Sequence, residues 1–326
     1  MVEPRLLATL ALAASVAGGG CAAPPSPRPT AIAPSASAQE SAAYDGQASR
    51  LSGDARIGAY VSIPWGFSTS SYWIEGPGGL IAIDTQFLPS AAEEMITAAE
   101  AMTGKKVKLA IVLHANPDKF NGTATFQKRK IRVVTSKEVI ELIPSIHEKR
   151  LKAFYDRYKP DYPLELPKPE PFGDKTTTLT EAGVTVTAHV LGPGCSEAHV
   201  VIEFEGHLFA GDLVASGSHS WLEIGRTDEW LRRIEEMKAL KPRFIHPGRG
   251  PSGGPELLDQ EDRYLRKVIE LVAAEHPRMP PEKEAIARAK KRIAEAFPDL
   301  DFPVFLNIGI PAEYARQAGR EGKSAP

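Results

Sequence analysis

The strongest constraint on this chain is where its polar residues fall relative to its apolar runs. Short β-rich stretches such as GGLIAIDT, VKLAIVLH, HLFAGD and RFIHPG each deliver polar residues at their C-terminal ends. The polar groups that collect there are Asp84, the loop His114–Lys119, Gly194–Ser196, Asp212 and His246–Gly250. Strand ends are where a sheet presents ligands to a site. Five such loops in one chain predict a sheet edge that carries chemistry.

Between these strands lie helical patterns. Residues 89–103 open with Pro89 and stop before Gly104, the asymmetry expected of a helix. A short helix is expected in FNGTATFQKRK, and longer ones over 137–160, DEWLRRIEEMKAL and GPELLDQEDRYLRKVIELVAAE. Residues 281–319 read as one further helix and an irregular tail, and the proline-rich KPDYPLELPKPEPFGD as a surface connection. TTTLTEAGVTVTAHVLG reads as a hairpin turning at Glu181–Gly183, and HVVIEF and HLFAGD are strands around Gly206. Hairpins mixed with alternating strands and helices predict two mixed sheets covered by helices rather than one parallel sheet.

The 326-residue length buries a full core without disulfide staples. A net charge of −2 and the lack of any long Lys/Arg run argue against nucleic acid as a partner. The N-terminus reads differently from the rest. Arg5 precedes LLATLALAASVAGGG, an apolar run too short and small-sided to span a bilayer comfortably, which ends at Cys21. Residues 1–21 therefore read as a lipoprotein-type signal peptide with Cys21 lipidated, and simple secretion as the alternative. Residues 22–50, rich in Ala, Pro and Ser, read as a tether. The expected location is the cell envelope, lipid-anchored on the periplasmic face, or else periplasmic or secreted. The folded domain is expected over 51–275 with a helical extension at 276–326.

The order IAIDT, LHANPDKFNG, GPGCS, FAGD and HPGRG resembles the metallo-β-lactamase superfamily over roughly residues 55–275. The resemblance implies an α/β fold, a four-layer αββα sandwich of two mixed sheets flanked by helices, with a metal site at one edge. In the family the first loop is typically HxHxDH, followed by a GPGH-like loop, a GD strand end and a PGHG turn. His114 matches the first histidine, Asn116 stands for the second, Asp118 matches the aspartate and Lys119 stands for the third histidine. Cys195 stands for the GPGH histidine, Asp212 matches the bridging aspartate, and Arg249 stands for the last histidine, with His246 three residues earlier. Asp84 matches an aspartate that supports the ligand loop.

An amide is a poor zinc donor, and Lys119 and Arg249 repel a cation. They are expected to neutralise Asp118 and Asp212 instead, with Lys119 or Arg249 at ion-pair distance from one of the carboxylates. No second metal is expected, and the cofactor is none or a single zinc ion. Such an ion would draw on His114, Asp118, Asp212 and Cys195, with His199 or His246 able to reach it. Cys195 has two further readings, a thiolate nucleophile beside Lys119 and His114 and a passive buried thiol. Asp118, Lys119 and Cys195 are the candidate catalytic groups; Trp65, Phe67 and Arg249 are the candidate substrate contacts, and Asn116 and Asp84 the supports.

Two functions follow. One is a metal-poor or catalytically altered hydrolase homologue that binds a small molecule or partner in the old groove. The other is an active mononuclear zinc hydrolase cleaving an ester, lactam or thioester bond by metal-activated water.

Overall fold

The computed structural model describes residues 45–324. The signal segment 1–21, Cys21 and the tether up to residue 44 lie outside the described residues. Strand β1 begins at Gln47, so the last residues assigned to the tether are paired into a sheet.

The first sheet has seven strands in sequence order: β1 (Gln47–Leu51), β2 (Asp54–Val61), β3 (Ser70–Gly76), β4 (Gly79–Ile83), β5 (Val107–Ile111), β6 (Arg132–Ser136) and β7 (Glu170–Gly173). Strands β1 to β4 are antiparallel, and β4 to β7 are parallel. The apolar run of β4 is buried at every residue, as a strand covered on both faces should be. β7 lies within the proline-rich segment read as a surface connection. Pro171 is tolerated because β7 is the edge strand and pairs only with β6.

The second sheet has the order β12-β11-β10-β9-β8, with β8 (Thr177–Glu181), β9 (Val184–Leu191), β10 (His199–Phe204), β11 (His207–Ala215) and β12 (Phe244–Arg249). β8 and β9 form the expected hairpin, and β11 and β12 run parallel. Two mixed sheets with helices make the expected sandwich. One apolar core includes residues from both sheets, among them Trp73, Ile81, Ile111, Val200 and Phe209.

Helix α1 (Pro89–Thr103) starts on Pro89 and ends on Gly104 at φ 69°, whose N–H donates to the Glu100 carbonyl. Next come α2 (Pro117–Phe120), α3 (Thr123–Lys128) and α4 (Lys137–Tyr158), the last capped by Ser136 Oγ accepting from Val139 N. Helices α5 (Thr227–Ala239), α6 (Glu256–Ala273), α7 (Lys283–Ala296) and α8 (Leu306–Ser324) complete the chain. Buried side chains from α5 to α8 and from β11 share a second core. Trp230 of α5 is fully buried and its Nε1 donates to the Leu213 carbonyl at 2.9 Å, which fixes the strand next to Asp212.

The tail expected to be irregular is helical as α8. Gly309, Pro311 and Gly319 hide the helix in the sequence because each is unfavourable inside one. Burial of Ile310 and Tyr314 outweighs that cost.

Candidate functional site

Four buried charges meet at the edge of the sandwich. Lys119 Nζ lies 2.9 Å from Asp212 Oδ1 and 3.2 Å from Asp118 Oδ2. Arg249 Nη1 donates to Asp212 Oδ2 at 2.9 Å and Nη2 to Asp118 Oδ2 at 2.6 Å. Each cation therefore touches both carboxylates, and the four formal charges cancel. Lys119 is fully buried, and Asp118 and Asp212 are only 4–5% exposed.

Local backbone dictates this meeting. β5 leads into the loop carrying His114, and the short α2 begins at Pro117, so Asp118 and Lys119 stand on its first turn. Asp84 braces the loop: its Oδ1 accepts from Leu113 N at 2.8 Å. Both Thr85 N and Thr85 Oγ1 donate to the Lys119 carbonyl at 2.8 Å. Thr69 Oγ1 lies 3.2 Å from Asp118 Oδ2 and 3.0 Å from the Gly66 carbonyl, so its one proton is shared between two acceptors. Gly248 leaves room for Asp212, since a Cβ there would stand 1.9 Å from Asp212 Oδ1.

The electrostatics follow. Burial alone would raise the carboxyl pKa values, but Lys119 and Arg249 outweigh it and hold Asp118 below its ordinary value. The same balance, led by Arg249, puts Asp212 well below the usual carboxylate range. Burial lowers the basicity of Lys119 and Arg249, but the two carboxylates more than reverse it and keep both protonated. Asp84 behaves oppositely: burial dominates and its carboxyl is pushed up to about 8.

His114 is completely buried, with Nε2 3.5 Å from Asp212 Oδ2 and Nδ1 2.9 Å from Ser196 Oγ. Cys195 Sγ lies 4.0 Å from His114 Nδ1. Burial, seconded by Asp212, pushes the Cys195 thiol well up, with Lys119 opposing. That speaks against a resting thiolate. His199, not His246, joins them: one donor atom each from His114, Cys195 and His199 lies within 4.8 Å of the others. An isolated bridge between His114 and His199 brings the two imidazoles together, with ring centroids 4.7 Å apart. His246 instead has Nε2 3.0 Å from His207 Nδ1 and Nδ1 2.9 Å from Ser252 Oγ.

The donor set decides which of the family's metals fit. At the second position they do not: Lys119 and Arg249 place positive charge against both carboxylates, where an ion would need them. At the first, two imidazoles and a thiol are competent donors for one ion. All three side chains are at most 3% exposed, and three donors would leave the fourth position of a tetrahedral ion without a protein ligand.

Beside the ion pairs is a narrow cleft lined by Asn116, Asp118, Arg249, Arg150 and a wall of aromatic rings. It holds only about 30 Å³, room for about one water. Phe67 lines it, at φ 65°. Trp65 does not line it; its ring packs 4.4 Å from Tyr158 and beneath the Arg157 guanidinium. Asn116 Oδ1 accepts from Arg150, which also pairs with Glu223. Sequence reasoning missed Thr69, Thr85, Arg150, Trp221 and Phe305. Thr69 lies two residues beyond Phe67, and Phe305 lies in the extension beyond every family motif.

The family model for the metallo-beta-lactamase superfamily matches residues 64–249, more than half of the chain, and the chain belongs to that superfamily. Solved structures with the same fold include a metallo-beta-lactamase from Pontibacter korlensis, 19% identical with TM-score 0.56, covering 68% of this chain and 99% of that one. DIM-1 metallo-beta-lactamase is 16% identical with TM-score 0.56, covering 68% and 97%. The metallo-beta-lactamase FIM-1 from Pseudomonas aeruginosa, in its mono-zinc form, is 17% identical with TM-score 0.53, covering 68% and 95%. At these identities the likeness is one of fold.

Proposed function

We propose that this is a catalytically altered member of the superfamily, in which side chains take the place of the dinuclear metal centre and the remaining cleft receives a small apolar group or a partner's side chain. The observation that carries this reading is the double bridging of Asp118 and Asp212 by Lys119 and Arg249. Removing one such partner from a buried set is costly, so the cations are not readily displaced by an incoming ion. A ligand would meet apolar walls over a neutral, hydrogen-bonded floor, and it must shift the aromatic side chains to enter. The N-terminal pattern ending at Cys21 supports placement at a membrane surface by a lipid anchor.

The test is zinc analysis after loading and exhaustive buffer exchange, alongside hydrolysis of chromogenic ester and lactam substrates with and without chelator. No ion at the Asp118–Asp212 position and chelator-insensitive behaviour are expected. Two zinc ions per chain, with hydrolysis lost on chelation, would overturn the reading.

A second reading is favoured by the His114–Cys195–His199 cluster. A single zinc held there would supply Lewis acidity, or simply cross-link the loops that carry the three donors. His199 Nε2 accepts from Ser196 N at 3.0 Å, so an ion taken through Nε2 would displace that bond. One retained zinc per chain, lost in both Cys195→Ser and His199→Ala, would establish this variant over the first.

A further inference from the structure

A second cavity, of about 650 Å³, shares no lining residue with the cleft. That is the size of ordinary small-molecule sites, whereas the cleft is closed down by its own aromatic rings. Its wall carries a hydrogen-bonded row of three groups, with a carboxylate facing the far end. Ser252 Oγ lies 2.9 Å from His246 Nδ1, and His246 Nε2 lies 3.0 Å from His207 Nδ1. His207 Nε2 lies 3.5 Å from Asp54 Oδ2. Asp54 comes from β2 of the first sheet, while His207 and His246 come from β11 and β12 of the second.

Proton positions along this chain follow from its end. Asp54 is held ionised, principally by its hydrogen bonds with Arg56, and so can only accept. The facing carboxylate favours the proton on His207 Nε2, which leaves its Nδ1 as acceptor. His246 Nε2 donates to that acceptor, which leaves His246 Nδ1 to accept the Ser252 hydroxyl. Both hydrogen bonds then point from the serine toward the carboxylate, the order of a nucleophile, a base and the groups that orient it. Both imidazoles are buried, and Ser252 is the partly exposed end, on the glycine-flanked loop that faces the cavity.

We propose that Ser252, with His246 as its base and His207 and Asp54 as positioning residues, forms a second, metal-independent acyl-transfer site that cleaves small activated esters or thioesters. Ser252 Oγ attacks the acyl carbon while its proton passes to His246 Nδ1. The C–O or C–S bond to the leaving group breaks, and that group departs with the proton. Water then attacks the acyl-serine, one of its protons returning through His246 to Oγ, and the carboxylic acid leaves. One ester bond and one water are consumed, and nothing is oxidised or reduced. Burial, with His207 second, pushes the His246 imidazole down to about 3, so its Nδ1 is unprotonated at neutral pH. The same weak basicity restricts the site to good leaving groups such as phenolates and thiolates. Phe244 and Tyr72 give the cavity aromatic wall for the acyl or aryl part.

The experiment treats the purified protein, in chelator, with an alkyl fluorophosphonate and separately with p-nitrophenyl acetate, and locates adducts by peptide mass spectrometry. A stoichiometric adduct on Ser252 is expected, absent in Ser252→Ala and formed about 100-fold more slowly in His246→Gln. Asp54→Asn should also slow labelling, and Asp54→Glu should restore it, which a merely structural carboxylate would not require. Ser252→Ala changes one partly exposed loop position, so an unchanged thermal midpoint certifies its fold. No adduct, an adduct on another residue, or labelling of folded His246→Gln at the unaltered rate overturns the proposal. Because chelator is present throughout, neither result depends on the state of the Asp118–Asp212 site.

Discussion

Replacing Lys119 by methionine tests the ion-pair reading most directly. Methionine keeps the length and apolar stem of lysine and removes the charge. At an effective dielectric of about 20, contacts of 2.9 and 3.2 Å are each worth about 5–6 kcal/mol of gross attraction. Desolvation of Lys119 and its repulsion with Arg249 offset most of this, so the expected net loss is about 3–5 kcal/mol, the usual cost of breaking a buried ion set. That corresponds to a fall in thermal midpoint of roughly 6–20 °C. The pH dependence is diagnostic. In the native protein the depressed pKa values of Asp118 and Asp212 contribute stability that is present above about pH 4 and lost as pH falls through their lower folded values. In the variant the two carboxylates share one cation, so one of them has its folded pKa raised above its unfolded value. It then contributes stability present below about pH 4 and lost as pH rises through the raised value. The gap between native and variant should therefore be largest at pH 8 and shrink toward pH 5, by up to about 1.4 kcal/mol per pH unit. Denaturant unfolding at both pH values measures it, and adding Asp118→Asn to the variant should recover more than half of the loss by restoring charge balance. A gap at pH 8 below about 1 kcal/mol, the worth of a surface pair, or one indifferent to pH, refutes the reasoning.

Two further outcomes are expected. Asp84, with its folded pKa raised to about 8, contributes stability present below about pH 4 and lost as pH rises through 8. Asp84→Asn should flatten that decline while costing at most about 1 kcal/mol at pH 6, and an unchanged pH slope in unfolding experiments would show that Asp84 is not the titrating group. In a bacterial host, Cys21→Ser should move the full chain from the membrane fraction to the soluble fraction on immunoblots, whereas an unchanged distribution rules out a lipid anchor at Cys21.

The chemistry of the site was more legible than its mechanics. Lys119 and Arg249 could be read because each occupies a position in a short motif, and because their charge alone decides what they do beside Asp118 and Asp212. His199 could not be ranked above His246, since both lie near family motifs. What separates them is a bridge between His114 and His199, a contact between distant segments. Thr69 and Thr85 act through side-chain hydrogen bonds to Asp118 and to the Lys119 carbonyl, and nothing in a threonine's neighbours announces such a bond. The same holds for the fold. β4 and α1 were visible because burial and capping leave local patterns. β7 and α8 were hidden because pairing with β6 and packing of Ile310 and Tyr314 override what Pro171 and Pro311 suggest.

The scaffold around Asp118 and Asp212 favours the proposed reading, in which side chains replace ions, over simple decay of the site. Two carboxylates remain buried, and buried carboxylates without partners would be protonated or would destabilise the fold. The groups that serve them are also in place: Thr69 donates to Asp118, Asp84 braces the loop at Leu113, and Gly248 clears space against Asp212. Each device makes physical sense only if Asp118 and Asp212 stay ionised and fixed. Two metal ions would do that, and so would an ammonium and a guanidinium, which bring the same sign of charge with no free coordination position. On the proposed reading, such an exchange keeps the electrostatic core that orders these loops while removing the open ligand position that metal-assisted hydrolysis requires. Stability and chemistry are thereby separated at this edge of the sandwich, which is why chelation should leave the fold of this protein untouched.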